Sequence, residues 1–157
     1  MIAYLSGPIE NALNDGADWR IEMTKWLKEN LNHKVFDPVE ETKGILKNIS
    51  KNSFRSMKLN NPEDYRLLMR EIIELDLNAV INKTDYLIVN WNENVLMGGG
   101  THGEVTIAYY FSKPIYIVNT IPLKRMSSWI FGCADKIFED FNDLKKFLLQ
   151  VDKNKTK

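Results

Sequence analysis

A single cysteine, Cys133, excludes any disulfide within this 157-residue chain and points to a reducing, cytoplasmic location. Charge of one sign is also missing: 21 basic residues balance 21 acidic ones. Nucleic acids and membrane surfaces draw proteins in through a positive field, so neither is an expected partner. No apolar run approaches the roughly 20 residues that cross a bilayer, and the first residues lack the basic start and apolar stretch of a signal peptide. There are two histidines, His33 and His102, and neither stands at metal-ligand spacing with Cys133. No metal and no cofactor are therefore expected. Glycine is scarce as well, with eight in all, yet four of them fall between positions 98 and 103.

What is present alternates in character along the chain. Residues 2–6 form a short apolar run stopped by Gly7-Pro8, as a buried strand would be. Trp19, Met23, Trp26, Leu27 and Leu31 then trace one stripe of an amphipathic helix, with Asp15 or Asp18 available as its cap. Trp19 and Trp26 read as core, and Arg20 as an exposed residue of that helix. Residues 34–37 suggest a second strand. The stretch 39–62 is too long for an ordinary connection and reads as an insertion or lid. Within it Lys43, Lys47, Lys51, Arg55 and Lys58 recur at helical spacing, which fits a solvated face or a cover over an anionic substrate. Tyr65, Leu68, Met69, Ile72, Ala79 and Val80 form another stripe, and Asp76 lies on it.

Residues 85–91 are the clearest buried strand, followed by the glycine run, a helix over about 103–111, and a strand over 115–118 after Lys113-Pro114. A loop over 122–128, an edge strand over 136–138, a closing helix carrying Phe141, Leu144, Phe147, Leu148 and Val151, and a frayed polar tail over 153–157 complete the reading. The pattern predicts one α/β domain over 1–152, a doubly wound, mostly parallel five-stranded sheet in the order 2-1-3-4-5 with helices on both faces. In such a sheet the site lies beyond the carboxyl ends of the strands where the winding reverses, between the first and third strands.

Three segments would converge there: Tyr4 to Pro8, Asp76, and Asn92 to Glu104, which holds the run Met97-Gly98-Gly99-Gly100-Thr101-His102-Gly103-Glu104. Glu104 closes a glycine turn that lets a ligand approach the backbone. The same spacing, Thr101-x-x-Glu104, also fits a capping box that merely starts a helix. Asp76 admits two readings too: a carboxyl in a polar pocket, or one paired near the end of its helix, since a lone carboxylate is costly to bury. His102 reads as a polar turn residue.

These residues resemble a family. Tyr4-Leu5-Ser6-Gly7-Pro8-Ile9, Asp76 ahead of Asp85-Tyr86-Leu87-Ile88-Val89, and Gly100-Thr101-His102-Gly103-Glu104 followed by Ala108 and Lys113-Pro114 look like the nucleoside 2-deoxyribosyltransferases, a family that includes the deoxynucleoside monophosphate N-hydrolases. The resemblance spans most of the chain outside the insertion and implies a flavodoxin-like fold. It implies that Glu104 is the nucleophile, that Asp76 transfers a proton at the base, and that Tyr4 orients Glu104. Ser6, Gly7, Gly98, Gly100 and Thr101 would contact substrate. Met126 and Ser127 match a segment that reaches a neighbouring subunit's site, implying a homo-oligomer. Gly98 departs from the acidic residue of the transferases and from the serine of the hydrolases. Lys124 and Arg125 would favour a phosphate, whereas Glu10 stands where the hydrolases tend to be basic.

The chemistry supports two carboxyls independently: cleaving a deoxyribose N-glycosidic bond builds oxocarbenium character that a carboxylate traps while an acid protonates the base. Deoxyribosyl transfer to a second base is the leading expectation, with small-molecule nucleosides, nucleotides and bases as partners. Hydrolysis of deoxynucleoside monophosphates is the nearest alternative, and a non-catalytic nucleotide-binding module the alternative of another class.

Overall fold

The computed structural model describes residues 1–10 and 12–155. Its centre is the sheet formed by β1 (Ile2–Ser6), β2 (Lys34–Phe36), β3 (Tyr86–Trp91), β4 (Ile115–Asn119) and β5 (Lys136–Phe138). Every pairing is parallel, in the order β2-β1-β3-β4-β5, as the sequence pattern predicts. β3 is buried along its whole length, as a strand covered on both faces should be.

Side chains alternate between two apolar layers. On one face Ala3, Leu5 and Ile88 pack with Met23 and Leu27 of α1 (Ala17–Leu31) and with Leu144 of α7 (Phe141–Lys155). On the other, Tyr4, Leu87 and Val89 pack with Val105 and Ala108 of α5 (Gly100–Tyr110) and Ile130 of α6 (Ser128–Cys133). Ala79 and Val80, in the π-helical turn that continues α4 (Pro62–Asn78), join that second layer. Two aspartates tie strand ends together: Asp85 accepts from the Ile2 amide at 2.6 Å and Asp135 from the Ile115 amide at 2.7 Å.

Several boundaries differ from the sequence reading. β2 stops at Phe36 because Asp37 caps α2 (Pro38–Glu41), accepting from the Val39 amide at 2.9 Å with Pro38 in the first turn. The stretch 39–62 folds as the rest of α2, turns, and α3 (Lys51–Asn60), which packs on α4 through Phe54 and Tyr65, ring centroids 5.2 Å apart. The expected loop over 122–128 runs into α6, whose first turn Ser127 caps. α7 continues to Lys155 into the segment expected to fray, since neither glycine nor proline interrupts it; positions 156–157 lie outside the described residues. No helix among the described residues is long and apolar enough to cross a membrane, and none of their acidic, histidine and cysteine side chains group as metal ligands.

Candidate active site

Strand periodicity builds the first part of the site. Tyr4 and Ser6, two apart on β1, face the same side of the sheet, the side α5 covers. Glu104 lies on α5 directly above them. Its Oε1 accepts a hydrogen bond from the Tyr4 hydroxyl at 3.0 Å, and its Oε2 accepts a short one from the Ser6 hydroxyl. The capping-box reading of Thr101 and Glu104 fails here: α5 begins at Gly100, three residues earlier than expected, and its N-cap Gly99 carries no side-chain cap. Glu104 is buried among β1 hydroxyls instead, with only an edge on the cavity. Ser6, expected to contact substrate, is fully buried and touches Glu104.

The loop after β1 is held by a residue the sequence reading put on the surface. Arg20 is 0% exposed. Its guanidinium donates to the carbonyls of Leu5, Gly7, Pro8, Asp15 and Gly16 at 2.9–3.4 Å, with Asp37 across an ion pair at 3.6 Å. The signal lay in the spacing, since Arg20 precedes Met23 and Leu27 by three and seven residues and shares their buried stripe. Gly16 is indispensable to the wrap: its φ is +68°, and a Cβ there would stand 2.5 Å from the Pro8 carbonyl and 2.8 Å from Arg20. Gly7 is nearly as confined, with Trp19 3.0 Å from the position of a Cβ.

A cavity of about 570 Å³ opens in front of Glu104, within the size range of small-molecule sites. Gly7, Gly98, Gly100, Thr101 and Asp76 line it together with Glu104. A Cβ at Gly98, Gly99 or Gly100 would meet nothing within 4 Å, so these glycines keep the wall open. Asp76 stands half-buried on α4, and its Oδ1 has no hydrogen-bond partner. Burial raises its carboxyl from 3.8 to about 7, the Glu104 charge adds to that, and the Tyr4 hydroxyl and Arg20 oppose it. Burial raises Glu104 too, against the Ser6 and Tyr4 hydrogen bonds and the Arg20 charge. Tyr4 is held well above its ordinary value by burial and by Glu104 and Asp76, so it remains a neutral donor.

The site therefore pairs a carboxyl still protonated near neutrality with one whose oxygens are already engaged by donors. A stability effect follows. The folded chain keeps the Asp76 proton up to about pH 7, whereas the unfolded chain releases it near 3.8, so the folded state binds more protons in between. Stability contributed by Asp76 is full below the lower value and is lost as pH rises through the upper one. Asp76→Asn is expected to melt like the wild type near pH 4 and to be more stable by about 2–3 kcal/mol near pH 8, after discounting for residual solvent contact. Thermal unfolding across that range checks it; an equal gap at both ends contradicts the burial of the charge.

The remaining residues are placed differently. Met126 packs into the chain's own core, and Ser127 caps α6; neither lines the cavity. Glu10 lies on the cavity rim, while Arg125 pairs with Glu93 away from it. His102 is inside α5 rather than in a turn, its ring 4.9 Å from Trp91. Asn94 and Val95, within the segment expected to face the crevice, join the lining, as does Arg55, which reaches Asp15 at 2.9 Å from α3.

No protein-family model and no curated protein sequence matches the chain. Solved structures do. A 2-deoxyribosyltransferase from the psychrotolerant bacterium Bacillus psychrosaccharolyticus superposes with a TM-score of 0.61 at 20% identity, over 92% of this chain and 90% of that one. A CMP N-glycosidase from Clostridium botulinum superposes with a TM-score of 0.52 at 16% identity, over 96% of each chain. At these identities the likeness establishes a shared α/β fold over nearly the whole length.

Proposed function

We propose that this chain is an enzyme of the nucleoside 2-deoxyribosyltransferase kind, cleaving the N-glycosidic bond of a 2′-deoxynucleoside and passing the sugar to another nucleobase. The observation that carries the reading is the Glu104 carboxylate, gripped by Tyr4 and Ser6 at the edge of a cavity that a second, protonated carboxyl, Asp76, also faces. The sequence resemblance and the fold shared with the transferase and the glycosidase both support it. Glu104 attacks C1′ as the C1′–N bond breaks, and the departing base takes its proton from Asp76. A deoxyribosyl ester of Glu104 results. A nitrogen of the second base then attacks C1′, releases Glu104 and returns a proton to Asp76; two displacements retain configuration. Tyr4 and Ser6 hold the carboxylate in line, while Gly7, Gly98, Gly100 and Thr101 shape the substrate wall.

A second reading keeps both carboxyls but uses water as acceptor and a 5′-monophosphate as substrate. It is favoured by the uncapped start of α5, whose first amides suit an anion, and one fold relative is a CMP N-glycosidase. In either reading the chain works as one domain over 1–152 in the cytoplasm, with 39–62 as a cover over the site. Ser127, exposed beside the core-packed Met126, would complete a neighbour's site in a homo-oligomer.

Incubation with the four 2′-deoxynucleosides and their monophosphates, with and without a second base, tests this by separation of the products. A new nucleoside formed only in the presence of the second base is the expected result. Free base released from monophosphates without an acceptor would move the assignment to the hydrolase. Ligand-induced stabilisation with no free base at all would mean a non-catalytic nucleotide-binding module.

A further inference from the structure

The cavity is much longer than the two carboxyls require, and its ends differ in chemistry. α4 borders it from Asp76 back through Ile72, Met69 and Tyr65, which at 1.5 Å per residue is about 16 Å of helix. Around Glu104 the walls are mostly polar or bare, with Thr101, Asn94 and the glycines 98–100, and Val95 as the apolar exception. Two to three turns away apolar and aromatic side chains predominate, with Phe54 of α3 set against Tyr65 and Leu46 and Ile49 also in the lining, while the Arg55–Asp15 ion pair and Glu10 supply the charged part of the wall. Lys43 and Lys47 also border this end, but both are exposed, so their apolar stems meet the cavity and their ammonium groups meet water.

α4 itself supplies a second observation. Although it carries a clear apolar stripe, none of its 17 residues is fully buried. Tyr65, Met69 and Ile72 are only half-buried because they face the cavity rather than a packed layer. An apolar surface left facing space is stabilised by an apolar ligand that covers it. The direction is set by the chemistry proposed above, on which this step rests: with C1′ at Glu104 and the departing base at Asp76, the far edge of the base points along α4 toward Tyr65.

We infer that the Phe54–Tyr65–Met69 end of the cavity is a specificity subsite for an apolar substituent on the exocyclic nitrogen of the nucleobase, so that the preferred substrate is an alkylated or arylated deoxynucleoside rather than the plain one. The bipolar lining selects for it, with sugar and glycosidic bond at the carboxyl end and the hydrophobic group at the aromatic end.

The test compares 2′-deoxyadenosine with its N6-methyl, N6-butyl and N6-benzyl derivatives, and 2′-deoxycytidine with the matching N4 series, by calorimetric binding and by release of free base. Expected is a gain in affinity and in kcat/KM of about fourfold per methylene covered, levelling off once the subsite is filled. In Tyr65→Ala and Met69→Ala the ratio of substituted to plain substrate should fall toward one. Equal or weaker binding of every substituted ligand by the wild-type protein overturns the subsite, whatever the variants do. If affinity climbs along the series yet no base is released from any member, the subsite stands and the enzymatic reading fails. If plain deoxynucleosides are cleaved and substituted ones are excluded, the enzymatic reading stands and the subsite fails.

Discussion

Glu104→Ala is expected to lower base release from 2′-deoxynucleosides by at least ~10³-fold, the scale on which loss of a covalent nucleophile acts, without unfolding the chain. The usual cost of removing a helix-capping acid does not apply, because Glu104 caps nothing: α5 starts at Gly100, and the carboxylate sits four residues in. Its burial raises its proton affinity, so the ionised form is held against desolvation, and the Tyr4 and Ser6 hydrogen bonds offset only part of that. Alanine removes the charge and leaves two hydroxyls that can donate to water entering from the cavity. The melting temperature of the variant near pH 7 should therefore equal or exceed that of the wild type, a stability gained where function is lost. Chromatography of the products and a thermal melt measure both quantities. Turnover within tenfold of wild type would remove Glu104 from the chemistry.

The second large effect concerns a residue that touches no cavity. Arg20→Ala should destabilise the fold by about 3–5 kcal/mol, as breaking a buried charge network does. For a chain of this size that lowers the melting temperature by about 10 °C or more. Five carbonyls spread over residues 5–16 converge on one guanidinium. Without it they would face one another in the interior, and Asp37 would lose its cation. Lysine should not rescue the loss, because a single ammonium lacks the planar fork that reaches carbonyls on several sides. Asp37→Asn should cost less, since the carbonyl contacts survive. The loop Arg20 anchors begins where Ser6 ends, and its charge acts on both site carboxyls, lowering them. A sharply lower melting point for Arg20→Lys as well as Arg20→Ala is the expected result; an Arg20→Ala melt within two or three degrees of wild type contradicts the structural role.

Much of the site was visible in short-range pattern. Period two on β1 places Tyr4 and Ser6 on one face, the 3.6 period sets Asp76 on an otherwise apolar stripe of α4, and the glycine run marks where a ligand can reach the backbone. Where the reading went astray, the deciding interaction lay outside the periodic pattern. Arg20 looked solvated because an arginine beside a helix start usually is, yet its partners are carbonyls of a loop that only the finished turn brings around it. Thr101 and Glu104 fit a cap by spacing, and only the position of α5 above β1 shows the carboxylate engaged by hydroxyls 98 and 100 residues away. α6 escaped notice because six residues carry too little periodicity to separate a short helix from a loop.

Alternation of apolar segments and turn residues was by itself enough to determine the class of fold, the strand order and the end of the sheet where a site belongs, because those follow from the handedness of crossovers and the pairing of neighbours. Tertiary structure alone decided which carboxyls meet, how strongly each holds its proton, and how far the cavity runs along α4. These depend on desolvation and on distances between residues remote in sequence, quantities that no local pattern contains.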